Sequence, residues 1–304
     1  MYYLLFIPLY LLSLLPWRVH YLFSDLMLYP FARYVLRYRR PLVRQQLAEC
    51  FPEKTEQERL AIERDFYHWF ADVVVESIKQ ISMSREDFRR HMTFEGVEEL
   101  SRDFLASDAT LCIGYLGHYC NWEWATSFAL YMPEEIGCAQ IYHPLENEAF
   151  DRLMKRSRSK CGADNVAMKN TLRYVLGKKR EGKKVVLGII TDQSPYLYHI
   201  RHWMQWMNHE SPVIIGAELI GQKVGAIYYY FDVQRVKRGY YHTVMRKLQP
   251  VDYETPYPMT EAYMHALAER LQNDPAPWLW THKRWKHKRE VVEQKLAERR
   301  KTTN

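Results

Sequence analysis

His118 and Glu123 stand five positions apart in GHYCNWEW (117–124), directly after the apolar run TLCIGYL (110–116). A histidine can take up a proton near neutral pH, and a carboxylate can fix its tautomer. The apolar run reads as a strand and the stretch 122–131 as a helix, so His118 falls at a strand-to-helix junction. Open α/β sheets keep their chemistry at such junctions. Along a regular helix, five positions would turn Glu123 away from His118. A loop before the helix removes that obstacle and lets the carboxylate meet the ring. The pair then suits the activation of an alcohol for acyl transfer. Three other readings stay open at this point. A metal site would need a third ligand, and no H-E-x-x-H occurs. Cys120, beside His118, could act as a nucleophile. His118 could simply cap a helix.

The elements that must position this pair follow from periodicity. Strands are expected at 110–116, 136–142, 185–191, 224–231 and 240–247, and helices at 122–131, 145–160, 169–181, 212–222 and 259–273. Strands alternating with helices predict an α/β fold with a mostly parallel central sheet flanked by helices. Gly239 predicts a hairpin between the last two strands. A long helix is expected from Glu56 to Ser82, with Thr55 as its cap and Glu58 at the capping-box position. Residues 19–48 read as amphipathic helix, and Asp87 to Arg90 as a short one.

Net charge is +7 over 304 residues, unevenly spread. Residues 1–44 hold six Arg and one Asp, and residues 283–301 hold nine Lys or Arg and three Glu. The two ends carry +11, which leaves the body near −4 and speaks against a nucleic-acid-binding core. Basic ends suit anionic lipid or an acidic carrier protein. The 23 Tyr and 9 Trp suit a membrane–water boundary. Five cysteines without a C-x-x-C give no disulfide framework and no zinc site.

The N-terminus, MYYLLFIPLYLLSLLPW, runs 17 residues without a charge. It lacks the basic n-region and small-residue site of a cleaved signal. It predicts an N-terminal membrane helix, either a span at the short limit or an interfacial anchor. Arg33, Arg37, Arg39, Arg40 and Arg44 follow, which places the remainder in the cytoplasm. Three parts result: an anchor or span at 1–30, a catalytic domain at 31–286 and a basic tail at 287–304.

Several blocks, in order, resemble the lysophospholipid acyltransferase superfamily with its H-x-x-x-x-[D/E] signature, and within it the lipid A biosynthesis lauroyl/myristoyl acyltransferases. They are RYRRPLVRQQLAECFPEKT (37–55), HYCNWE (118–123), IYHPLENEAFDRLMKRSRSKCGA (141–163), TDQSP (191–195) and PWLWTHKRWK (277–286). The resemblance spans nearly the whole chain and implies a glycerolipid-acyltransferase-like fold. It implies that His118 is the general base and Glu123 its orienting carboxylate. The acceptor hydroxyl attacks the thioester of an acyl carrier protein, without an acyl-enzyme and without a cofactor or metal. It further implies substrate contacts from Tyr119, Asn121, Tyr142 and His143. Arg156 or Arg158 would face an acceptor phosphate or the developing oxyanion, and Asp192 and Gln193 would line the site. His143 stands where the family usually carries a permanent cation, which leaves the acceptor open. The expected acceptor is a lipid A precursor or a related lipid, at the cytoplasmic face of a bacterial inner membrane.

Trp278, Trp280 and Trp285 read as packing or membrane anchors. HIRHWMQWMNHESP (199–212), with three His, two Trp and two Met, reads as an acyl-chain ruler, a lid or core. Two rival functions remain: the same chemistry on an aminolipid or lysophospholipid, and a non-catalytic basic membrane-surface protein.

Overall fold

The computed structural model describes residues 2–250 and 252–303. Its strands are β1 (Met92–Glu95), β2 (Leu111–Leu116), β3 (Ile136–Tyr142), β4 (Asp164–Ala167), β5 (Lys184–Ile190), β6 (Trp203–Trp206), β7 (His209–Pro212), β8 (Ile227–Lys237) and β9 (Tyr240–Lys247). Seven form one sheet in the order β1-β9-β8-β2-β5-β3-β4, and β6 and β7 make a separate hairpin. Within the seven-stranded sheet every pair is parallel except β8–β9. The expected α/β class is therefore observed.

β2 lies in the middle because all six of its residues can be buried. A strand covered on both faces has to read as a continuous apolar run, and LCIGYL does. Tyr115 stacks on Tyr263 of the Pro258–Asn273 helix at 4.7 Å. On the opposite face Gly114 leaves room for the Phe231 ring: a Cβ there would lie 2.6 Å from it. The β8–β9 hairpin turns at Gly239, whose φ of +74° is open to glycine at little cost. The Glu56–Lys79 helix starts as expected: the Thr55 hydroxyl accepts from the Glu58 N–H, and the Glu58 carboxylate accepts from the Thr55 N–H at 2.7 Å.

The N-terminus departs from a straight membrane helix. Helix Tyr2–Leu14 ends just before Pro16, and the next helical stretch, Trp17–Val35, leaves at 109° to it. Among the described residues no single helix is long and apolar enough to cross a membrane, although this bent pair passes by length and composition. Leu4, Ile7, Leu11, Leu22, Leu26 and Val35 are all exposed. The polar groups of the same stretch point inward onto the Glu56–Lys79 helix. Ser24 donates to Asp72 at 2.7 Å and Tyr21 to Glu76 at 2.9 Å. Arg33, Arg40 and Arg44 converge on Glu63, which is fully buried. These contacts join residues on both sides of position 30 to one helix.

The 199–212 segment mixes buried and exposed residues. Met204, Trp206 and Met207 are buried, and Trp206 donates to the Met264 carbonyl at 2.7 Å. Met204 and Trp206 belong to β6, which packs against the Pro258–Asn273 helix. The three histidines part ways: His202 meets Glu261 at 2.6 Å, His209 stacks on Trp285 and His199 is exposed. Trp278 and Trp280 are buried as well, which settles the packing reading for both.

Candidate active site

The register of β2 and β5 builds the site. Leu116 pairs with Ile190, so the residues two positions on, His118 and Asp192, emerge side by side at the carboxyl ends of adjacent parallel strands. His118 Nδ1 lies 2.6 Å from Asp192 Oδ1, and the His118 backbone N–H donates to Oδ2 at 2.8 Å. Trp278 Nε1 donates to the same Oδ2, also at 2.8 Å. Burial by itself would raise the Asp192 pKa. The charge of His118 and the bonds from His118 and Trp278 outweigh it, so the carboxyl lies below its ordinary value. A carboxylate on Nδ1 makes that nitrogen the donor and leaves Nε2 with a lone pair. The His118 side chain is 21% exposed. The Gln193 amide stands 3.3 Å from Nε2, and Trp122 packs edge-on to the ring at 5.3 Å.

The C-terminal block braces both loops. The Leu279 N–H donates to the His118 carbonyl at 3.1 Å, and the Cys120 N–H to the Pro277 carbonyl at 2.8 Å. The Ser194 N–H donates to His282 Nε2 at 3.1 Å. That nitrogen accepts because burial lowers the His282 pKa to about 4, which keeps the ring neutral. His282 thus fixes the turn that aims Gln193.

Glu123 makes a different contact from the one expected. Arg158 donates to it through Nε at 2.8 Å and Nη2 at 2.6 Å, a two-pronged ion pair. Burial would lower the Arg158 pKa, but the bond and charge of Glu123 raise it on balance. The expected orientation of His118 by Glu123 is therefore corrected: Asp192 occupies Nδ1, and Glu123 neutralises a permanent cation.

Two of the expected substrate contacts point inward. Tyr119 is buried and donates to the Asp274 carbonyl at 2.7 Å. Asn121 is fully buried; it donates to Glu76 at 2.6 Å and accepts from the Trp124 N–H at 3.1 Å. Both shape the loop rather than line a site. Cys120 is also fully buried, and desolvation raises its thiol pKa well above the ordinary value, so it is no nucleophile. Tyr142 ends β3, paired with Ala167 of β4, and His143 follows it. Lys155 lies 5.1 Å over the Tyr142 ring, and His143 is exposed. Arg156 is exposed and lies 5.2 Å over the Phe6 ring of the N-terminal helix.

Glu76 links these parts. Fully buried, it accepts from Tyr21 of the N-terminal stretch, from Asn121 of the site loop and from Tyr241 of β9, the last at 2.8 Å. Desolvation raises its pKa to about 7, against the effect of those donors. Sequence reasoning passed over Glu76, His282 and the Trp278–Asp192 bond. For Trp278 and His282 the signal was present in the PWLWTHKRWK block, whereas Glu76 looks like any other helix glutamate. A cavity of about 870 Å³ lies elsewhere, between residues 198–203 and the Arg289–Thr303 helix, and none of its lining residues belongs to the site.

Residues 1–287 match the family described as bacterial lipid A biosynthesis acyltransferase, and no curated protein sequence matches the chain. With most of its length accounted for in this way, the chain belongs to the bacterial lipid A biosynthesis acyltransferases and is an acyltransferase.

Proposed function

We propose that this enzyme moves a fatty acyl chain from the thioester of an acyl carrier protein to a hydroxyl of a lipid A precursor, with His118 as general base. One observation carries the reading: Nδ1 of His118 is held by the buried Asp192, while the ring remains partly exposed. The acceptor hydroxyl takes the place of the Gln193 amide at Nε2 and gives up its proton there. Its oxygen bonds to the thioester carbonyl carbon. The tetrahedral oxyanion then collapses, the C–S bond breaks and the imidazolium returns the proton to the leaving thiolate. Asp192 stabilises the imidazolium between the two transfers. Glu123 holds Arg158 as a fixed cation, and this reading assigns that cation to the oxyanion. Arg156, exposed beside the N-terminal helix, is assigned to an acceptor phosphate. Tyr142 and His143 border the acceptor side.

In the same reading the bent N-terminal pair lies in the cytoplasmic leaflet of the inner membrane. Its exposed leucines face lipid, and Arg18, Arg37 and Arg39 lie at the headgroups. Residues 1–30 act as anchor and residues 31–286 as catalytic domain. Purified enzyme, assayed with a dodecanoyl carrier-protein thioester and a lipid A precursor, is expected to acylate the precursor. His118→Ala lowers the rate by about 10²–10⁴-fold. Transfer at the full rate by folded His118→Ala protein contradicts the assignment. In a strain lacking the protein, loss of one secondary acyl chain from lipid A supports this acceptor. Unchanged lipid A with altered aminolipids or lysophospholipids points to another one.

A further inference from the structure

The Arg289–Thr303 helix lies beyond the matched residues 1–287 and turns its two sides differently from the N-terminal helices. Val292 is buried and Leu296 half-buried, so its apolar side faces the body. Outward it shows Gln294 and Lys295 with Glu290 and Glu298, and the exposed Lys283, Lys286 and Lys288 precede it. A helix that lies in a bilayer turns its apolar side out. This one does the reverse, which favours a soluble partner of opposite charge.

The helix also walls the 870 Å³ cavity, whose other wall is residues 198–203. Three arginines, Arg201, Arg289 and Arg299, line it against one carboxylate, Glu293. Arg289 pairs with Glu210 and Glu293, whereas among the described residues Arg201 donates to the carbonyls of Tyr198 and Ile200. Arg299 lies 4.4 Å over the Tyr198 ring and ties the helix to the facing wall. Tyr198 and Trp203 add apolar surface.

Both walls continue the segments that hold the reacting groups. Tyr198 lies six residues after Asp192, so their Cα atoms are at most about 20 Å apart. His287, two residues before the helix, lies 3.1 Å from the Pro195 carbonyl of the same loop. A partner seated here could pass a thioester on a flexible arm to His118.

We propose that the C-terminal helix, the lysine row 283–288 and the cavity beside them form the docking surface for an acidic acyl carrier protein. This rests on the donor assigned above. Lys286, Lys288 and Lys295 make no ion pair among the described residues, so reversing them strands no internal carboxylate. The test uses the full chain with Lys286→Glu, Lys288→Glu and Lys295→Glu combined. Two donors are compared: dodecanoyl carrier protein and carrier-free dodecanoyl pantetheine. KM for the carrier-bound donor is expected to rise about tenfold or more, with kcat unchanged. Turnover of the carrier-free donor and sedimentation with anionic phosphatidylglycerol vesicles should stay at wild-type values. In the wild type, KM for the carrier-bound donor should rise with salt. An unchanged KM in the variant overturns the docking site alone. Lost vesicle binding with an unchanged carrier KM assigns the helix to lipid and also overturns it. If the wild-type enzyme cannot use the carrier-bound donor, the donor assignment fails first and the docking site with it.

Discussion

Asp192 and Glu123 both stand at the mouth of the sheet, yet they do opposite things with their charge. Asp192 is fully buried and receives three bonds, two from His118 and one from Trp278. Its one titratable partner gains most from the carboxylate when a proton arrives. Glu123 keeps 12% of its side chain exposed, and both of its oxygens are taken by Arg158, a cation at every working pH. The first carboxylate is arranged to favour a change of charge and the second to hold one constant. The partner nearest in sequence is thus not the partner in space. Strand register, acting across 74 residues, chose Asp192.

Substitutions can break or sharpen this contrast. Asp192→Asn should cost most: on the order of 10³–10⁴-fold in kcat with KM little changed, because an amide can hold the wrong tautomer. Glu123→Gln should cost on the order of 10²-fold, the scale of one misplaced charge-stabilising donor. The Glu123→Gln, Arg158→Gln double variant should then be no worse than the weaker single one, since both remove one ion pair. Additive losses would mean that Glu123 acts independently of Arg158.

The smallest effect on turnover is expected at Glu76, a third carboxylate that holds Asn121 midway between His118 and Glu123. Its folded-state pKa of about 7 lies above the 4.5 of a free glutamate. Between those values the folded protein keeps a proton that the unfolded chain has lost. Its contribution is therefore complete below pH 4.5 and fades as pH rises through 7, a span of about 3 kcal/mol. Glu76→Gln stays neutral and should flatten that slope. Melting curves at pH 5 and pH 8 check it: the wild type should lose more Tm at pH 8 than the variant does. Equal losses would refute the buried, protonatable state.

Much of the fold was legible because its signals are local. The strands at 136–142 and 240–247, the Gly239 hairpin and the Thr55–Glu58 cap need only periodicity and short-range chemistry. The illegible parts depend on distant partners or on rare backbone geometry. The β6–β7 hairpin turns through Met207 and Asn208, both at positive φ, without the glycine that usually announces such a turn. The four-residue β1 and β4 are strands only because a longer neighbour pairs with them. The stretch after His118 folds as the 3-10 helix Trp124–Leu130, shorter than the α-helix expected. A uniform apolar run did not betray the bend near Pro16 or the buried acids that receive its polar groups. Within the site, His118, Gln193 and Asp192 were read as a neighbourhood. The roles of the two carboxylates were not, because pairing Asp192 with His118 requires knowing that β2 and β5 are adjacent and in which register.

The most direct test is the ring proton on His118 Nδ1, observed by NMR in protein labelled with ¹⁵N-histidine. A hydrogen-bonded Nδ1–H signal should be present in the wild type, persist in Glu123→Gln and vanish in Asp192→Asn. Its survival in Asp192→Asn together with its loss in Glu123→Gln would contradict the account.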